Sequence, residues 1–249
     1  MSADSRPHGE RLFARYAYHP NEKGYCGPDG APLLAEVARG EGAGVDVRGA
    51  ATRFSGAWPY LTVIGRLLAC DPLDERAVRA YWTGSVEGDA IDPAVFWREL
   101  LAIIGPRAGS YWAYLDDSLA AEAAPHHAFH VFGVYPWTRL LSTGRPEPVE
   151  VLESCAILPA TVVHADATRW RVRGPRLVYR EGVLALHDSD DANAERDVTV
   201  PFGDTATAGE KVAIHWGAVA EVLDGDTAGG LEARVSAQLA RVNARLAAS

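Results

Sequence analysis

Pro125 to Trp137, PHHAFHVFGVYPW, packs His126, His127 and His130, three of the chain's eight histidines, among four aromatics with no acid or base between them. So apolar a run is buried, and a buried imidazole needs a hydrogen-bond partner or a metal. Read as a helix, it sets His126 and His130 one turn apart on one face, with His127 beside them. That i, i+4 spacing presents two nitrogens to one ion. Upstream, the stretch HPNEKGYCGPDGAP carries Glu22 and Cys26 on a loop rich in proline and glycine, a source of further donors. The competing reading is a core helix whose histidines bond backbone carbonyls, beside a loop whose CGPDG is turn chemistry alone.

Charge and cysteine usage limit the partners. The net charge is −9 and no run is rich in Lys or Arg, which argues against nucleic-acid backbones and anionic membranes. Only Cys26, Cys70 and Cys155 occur, widely spaced, so neither a disulfide framework nor a CxxC zinc knuckle is expected. The N-terminus lacks an apolar signal region, and no apolar run approaches the ~20 residues a membrane span needs. The expectation is a cytoplasmic, reduced protein in which any working cysteine acts as a thiolate.

The elements that must position these residues divide in two. From Arg11 to Tyr18, then over Leu33–Arg39, Ala50–Ala69, Leu73–Trp82, Asp92-Pro93 to Ile104 and Ser110–Ala121, apolar residues recur at helical spacing. Pro59 kinks its helix or opens a second segment. After Ser142–Pro148 (STGRPEP) the period changes. Val149–Leu158 leads into about six short β-branched runs separated by turn signals such as Arg173-Gly174-Pro175, with DSDDANAERD as an acidic loop. So many strands in so short a span predict a small closed or half-closed barrel. Leu231–Ala248 then reads as an amphipathic helix with Leu231, Val235, Leu239, Val242 and Leu246 in one stripe. The fold class is α+β, a mainly helical domain over 1–145 and a strand-rich one over 149–249.

Cys155-Ala-Ile-Leu-Pro159, entering a Val-Val strand, and Gly209-Glu-Lys-Val-Ala-Ile-His215-Trp-Gly-Ala carry a resemblance. They resemble the C-x-x-x-P opening and the late G-x-x-V-x-V-H-x-G-x-A segment of the HypC/HupF family of [NiFe]-hydrogenase assembly chaperones. The match covers roughly residues 150 to 248 and implies an OB-like barrel followed by a helix. It also implies roles for Cys155 and His215 alone, carrying iron with its diatomic ligands and meeting a maturation partner or the hydrogenase large subunit. Two departures are Cys155 lying deep in the chain, where the family has it next to the initiator Met, and Ala160 replacing the usual glycine. The whole chain also resembles an uncharacterised bacterial family with RLFARYAY, GYCGP and HHAFHVF motifs, whose members are expected beside hydrogenase maturation genes.

Three functions follow as expectations. The first is an accessory chaperone or scaffold in [NiFe]-hydrogenase maturation, with Cys155 and His215 on the barrel. Its second metal site would lie around His126, His127 and His130, completed by Glu22 or Cys26. The second is a metal-dependent enzyme of the helical domain, using iron or another transition metal. The third is a metal-free structural interaction protein. Neither a GxxxxGK[ST] loop nor a glycine fingerprint after a strand is present, so no nucleotide site is expected.

Overall fold

Helix α1 (His8–Glu22) sets the frame, because both halves of the chain pack against it. The computed structural model describes residues 7–107, 114–187 and 195–248. The apolar face of α1 buries Leu12, Phe13, Tyr16 and Ala17. The helical spacing of Arg11–Tyr18 anticipates this, but α1 continues through Pro20 to Glu22 instead of yielding to a loop. Proline lacks the N–H that would close a bond to the carbonyl four residues back, so the Tyr16 carbonyl is left free of its helical partner.

Around α1 stand α2 (Ala31–Ala38), α3 (Val47–Ala51), α4 (Trp58–Leu67), α5 (Glu75–Trp82), α6 (Val86–Asp89) and α7 (Pro93–Ile104). Of the two readings of Ala50–Ala69, Pro59 opens a second segment: it sits in the first turn of α4, where its missing N–H costs nothing. The side chain of Asp92 caps α7 by accepting from Val95 N–H at 2.9 Å. Of the Ser110–Ala121 helix, residues 110–113 lie outside the described residues, and Asp117–Ala121 is a 3₁₀ turn.

The histidine stretch is not a regular helix. His126 is extended (φ −141°, ψ 161°) and precedes the short helix α8 (His127–Phe129). This passes into a π-helical turn over His130–Val134, closed by Tyr135 N–H donating to the His130 carbonyl at 2.7 Å. Single π turns recur at functional sites because they re-aim side chains. A 3₁₀ segment (Pro136–Thr143) ends at Gly144 in the left-handed region, φ +71°. Helix α9 (Glu147–Cys155) follows, so Cys155 closes a helix, where the sequence reading had it opening a strand.

Seven strands are present among the described residues: β1 (Leu158–Ala165), β2 (Arg169–Arg173), β3 (Arg176–Arg180), β4 (Val183–His187), β5 (Glu195–Thr199), β6 (Lys211–His215) and β7 (Ala218–Leu223). The run expected as one strand, KVAIHWGAV, is cut into β6 and β7 by the turn at Trp216-Gly217. Antiparallel pairing joins β1 to β2 and β6, β2 to β5, and β6 to β7. A single parallel pair, Thr199 with Ala218, links β5 to β7 and returns the pairing on itself. Strands β3 and β4 form a separate hairpin. Residues 188–194 of the acidic DSDDANAERD stretch lie outside the described residues. Helix α10 (Gly225–Ala247) closes the α+β fold, with Asp224 accepting from Thr227 N–H as its cap.

The period of two along a strand explains how the halves meet. On β6, Val212 and Ile214 point into a small core shared with Val162, Trp170, Val172 and Val198. Ala213 points the other way, into the main core with α1, α5 and α10, and His215 follows on that face. The main core is continuous across the break at Gly144 and holds Leu12, Tyr81 and Phe132 together with Leu158, Leu177 and Leu223. Among the described residues, no helix is long and apolar enough to cross a membrane.

Candidate metal centre

Three elements from distant parts of the chain meet where α1 covers the end of β6. His127 arrives from α8, Cys155 from the last turn of α9, and His215 from β6. Their potential ligand atoms all lie within 4.8 Å of one another, so this buried group can bind a metal. Metal–ligand bonds of ~2.0–2.3 Å set a tetrahedral N–S edge of about 3.6 Å. His127 Nε2 stands 3.9 Å from Cys155 Sγ, close to that edge.

Both imidazoles are oriented by a second partner. His215 Nδ1 donates to the Tyr16 carbonyl at 2.8 Å, the carbonyl that Pro20 leaves without a helical partner. That bond fixes the tautomer, and His215 Nε2 is left buried with no partner among the described residues. His127 Nδ1 faces the Tyr81 hydroxyl at 3.1 Å, and that hydroxyl also lies 3.2 Å from the Gly56 carbonyl. In the tautomer whose Nε2–H donates to the Cys155 carbonyl at 3.0 Å, Nδ1 is the acceptor and the Tyr81 hydroxyl proton points to it rather than to Gly56. On metal binding the proton belongs on Nδ1, where the Tyr81 oxygen accepts it while its own proton goes to Gly56.

Electrostatics keep the group neutral until a metal arrives. Burial pushes the His215 imidazole down to about 3 and that of His127 well below its ordinary range. Burial also pushes the Cys155 thiol well up, with Cys26 adding to the rise and the Trp216 indole N–H opposing it. A protonated, desolvated thiol is inert. Only a cation at the centre of the group compensates the thiolate.

The group forms one wall of a cavity of about 320 Å³. His130 and Cys26 line the same cavity. His130 packs edge-on against Tyr60 and face to face with Tyr135, and burial lowers its pKa to about 4. Burial raises Cys26 to about 11. The side-chain amide of Asn21 clamps the Cys26 segment by donating to the carbonyls of Cys26, at 2.9 Å, and Pro28. At the rim, the half-exposed Tyr25 stacks on Trp216 at 4.1 Å. Trp216 adopts φ +53° in the β6–β7 turn, a left-handed conformation unusual for a bulky residue. Its N–H donates to the Ser154 carbonyl at 2.8 Å, which ties that turn to the end of α9.

Two residues of the expected histidine site lie elsewhere. The extended backbone at His126 breaks the i, i+4 relation with His130, and its ring lies outside the cavity, in the field of Arg234 and Arg241. Glu22 belongs to α1, not to a loop, and pairs with His19 at 3.3 Å and the Tyr18 hydroxyl at 3.0 Å. The expected pair on an open barrel surface is also modified: His215 faces outward from β6 and Cys155 ends helix α9, and the helical half packs over both. Of the residues expected at the histidine site, His127 is the one that joins Cys155 and His215 in a single group. Sequence reasoning missed Tyr81, Tyr16 and Pro20; a proline inside an otherwise periodic helix was the available signal for the last two.

The chain belongs to a family of unknown function, DUF6390, whose model matches residues 5–249. No curated protein and no solved structure matches it.

Proposed function

We propose that this protein holds a transition-metal ion, iron in the favoured case, on His127, Cys155 and His215, and serves as an accessory carrier in [NiFe]-hydrogenase maturation. The observation that carries the reading is the meeting of Cys155 and His215, the two residues of the chaperone resemblance, with a third ligand from the helical half. One thiolate and two imidazoles suit a borderline or soft first-row metal. Three protein ligands beside a cavity leave a coordination position for a second group. The pairing order β1-β2-β5-β7-β6 and the helix after it support an OB-like, HypC-like reading of the C-terminal part. A cytoplasmic setting fits a cysteine that must stay reduced. The partner would be a maturation protein or the hydrogenase large subunit.

A metal-dependent enzyme is the second reading, and the cavity beside the open position favours it. Metal analysis of protein purified without chelators separates these readings, together with hydrogenase activity in cells carrying Cys155→Ala. Bound iron and lost hydrogenase activity support the carrier. Bound metal with undiminished hydrogenase activity turns the assignment to an enzyme, and absence of any transition metal removes both.

A further inference from the structure

The cavity beside the centre has an unusual lining for a polar site. Six aromatic side chains, Tyr25, Tyr60, Tyr81, Trp82, Tyr135 and Trp216, line it, and among the described residues no Asp, Glu, Lys or Arg does. Its volume of about 320 Å³ is at the low end for small-molecule pockets, enough for a ligand of roughly one ring. The Tyr60 hydroxyl is a buried donor with no partner among the described residues, on a residue only 1% exposed. A native protein rarely leaves such a group unpaired, and a ligand is one way to satisfy it.

Charge bookkeeping at the metal then selects the ligand. A divalent ion with one thiolate and two neutral imidazoles carries a net charge of +1. With no carboxylate among the described residues of the cavity wall, that charge has no counter-ion there. We infer that the cavity takes a small organic carboxylate with an apolar, ring-sized body, which displaces water from the fourth metal position and accepts a hydrogen bond from Tyr60. The inference rests on the proposed metal site at His127, Cys155 and His215. The step is a ligand exchange: a metal–water bond breaks, a metal–oxygen bond to the carboxylate forms, water leaves, and nothing is oxidised or reduced. The aromatic walls receive the apolar body and contribute no charge. Without the metal the cavity has no cation, so it has no reason to prefer an anion.

Cobalt(II) added anaerobically to the full chain tests this, since thiolate-to-cobalt and d–d absorption report the centre directly. Benzoate and its neutral isostere benzamide are then titrated into cobalt-loaded and metal-free protein. The expected result is a shift of the d–d bands by benzoate, with an affinity at least tenfold tighter than benzamide, and no measurable benzoate binding to the metal-free chain. Tyr60→Phe should keep the cobalt spectrum and weaken benzoate about tenfold. Equal binding of the two probes, equal binding with and without metal, or undiminished affinity in Tyr60→Phe overturns the inference and leaves the metal site standing. Absence of a thiolate–cobalt band overturns the metal site and the inference together.

Discussion

Of the three donors, Cys155 alone must lose a proton to bind a divalent ion at neutral pH. Burial already holds His127 and His215 as neutral imidazoles, so protons do not compete for them at neutral pH. The thiol is held in the opposite direction, protonated far above pH 7. Metal uptake between pH 6 and 8 should therefore release about one proton, not two or three. Zn(II) affinities measured by chelator competition are expected to tighten about tenfold per pH unit over that range. Cys155→Ser should flatten the slope and weaken binding at least 100-fold. A slope near two would show that an imidazole is protonated in the metal-free protein and that its surroundings are wetter than the packing implies.

At the level of elements, the arrangement depends on a helix, a turn and a strand arriving with the correct unpaired atoms. Pro20 lies inside α1, where a proline usually weakens a helix, and its cost falls on the carbonyl of Tyr16. His215 Nδ1 takes that carbonyl at 2.8 Å, so the defect in α1 orients a ligand on β6. Pro20→Ala would return an N–H that competes for the same carbonyl. The expected outcome is an unchanged or higher melting temperature with Zn(II) affinity lowered about tenfold, the size of effect seen for partners that orient metal ligands. Unchanged affinity would show that His215 keeps its orientation through ring packing, with Trp82 at 5.8 Å and His127 at 5.3 Å. Much of this was readable in the sequence, but not all. Helical spacing over Arg11–Tyr18 and the stripe Leu231 to Val242 located α1 and α10, because amphipathic periodicity depends only on which face is buried. The end of α1 and the course of PHHAFHVF were misjudged for one reason. Each departs from regular helix geometry, at Pro20 and at the extended His126 before a π turn, where tertiary bonds override local pattern. Cys155 and His215 could be singled out by motif, yet no spacing along the chain could show that His127 would meet them.

Across the whole molecule the break at Gly144 divides the secondary structure without dividing the core. Polar bonds reinforce the join: Glu221 on β7 accepts from the Tyr16 hydroxyl at 2.8 Å and pairs with Arg79 of α5 at 3.0 Å. Arg15 donates to the Ala220 carbonyl at 2.7 Å. Glu221→Ala would leave Arg79 and Tyr16 with lost partners at a partly buried seam, and a loss of about 2 kcal/mol in urea unfolding is expected. One transition should remain, because both halves contribute to the same core.

Acid sensitivity should also be a property of the whole, since that seam and its neighbourhood bury several imidazoles. His126 and His130 are pushed down to about 4, His215 to about 3, and His127 lower than its ordinary range, in each case mainly by burial. In the unfolded chain each returns to an ordinary value near ~6.5. The folded-state values are the lower ones, so below pH 6.5 the unfolded state binds more protons and stability falls as pH falls. Each histidine contributes a slope of roughly 1 kcal/mol per pH unit, active from about pH 6.5 down to its folded value. Several acting together can remove the ~5–15 kcal/mol of a typical fold within a few pH units. Chelator-treated protein is therefore expected to lose urea resistance steeply between pH 6.5 and 5, before most carboxylates titrate. His126→Gln touches no proposed ligand, and it should reduce that slope by about one proton. A flat profile between pH 6.5 and 5 would mean that water reaches the imidazoles and that the closed seam between the halves opens in solution.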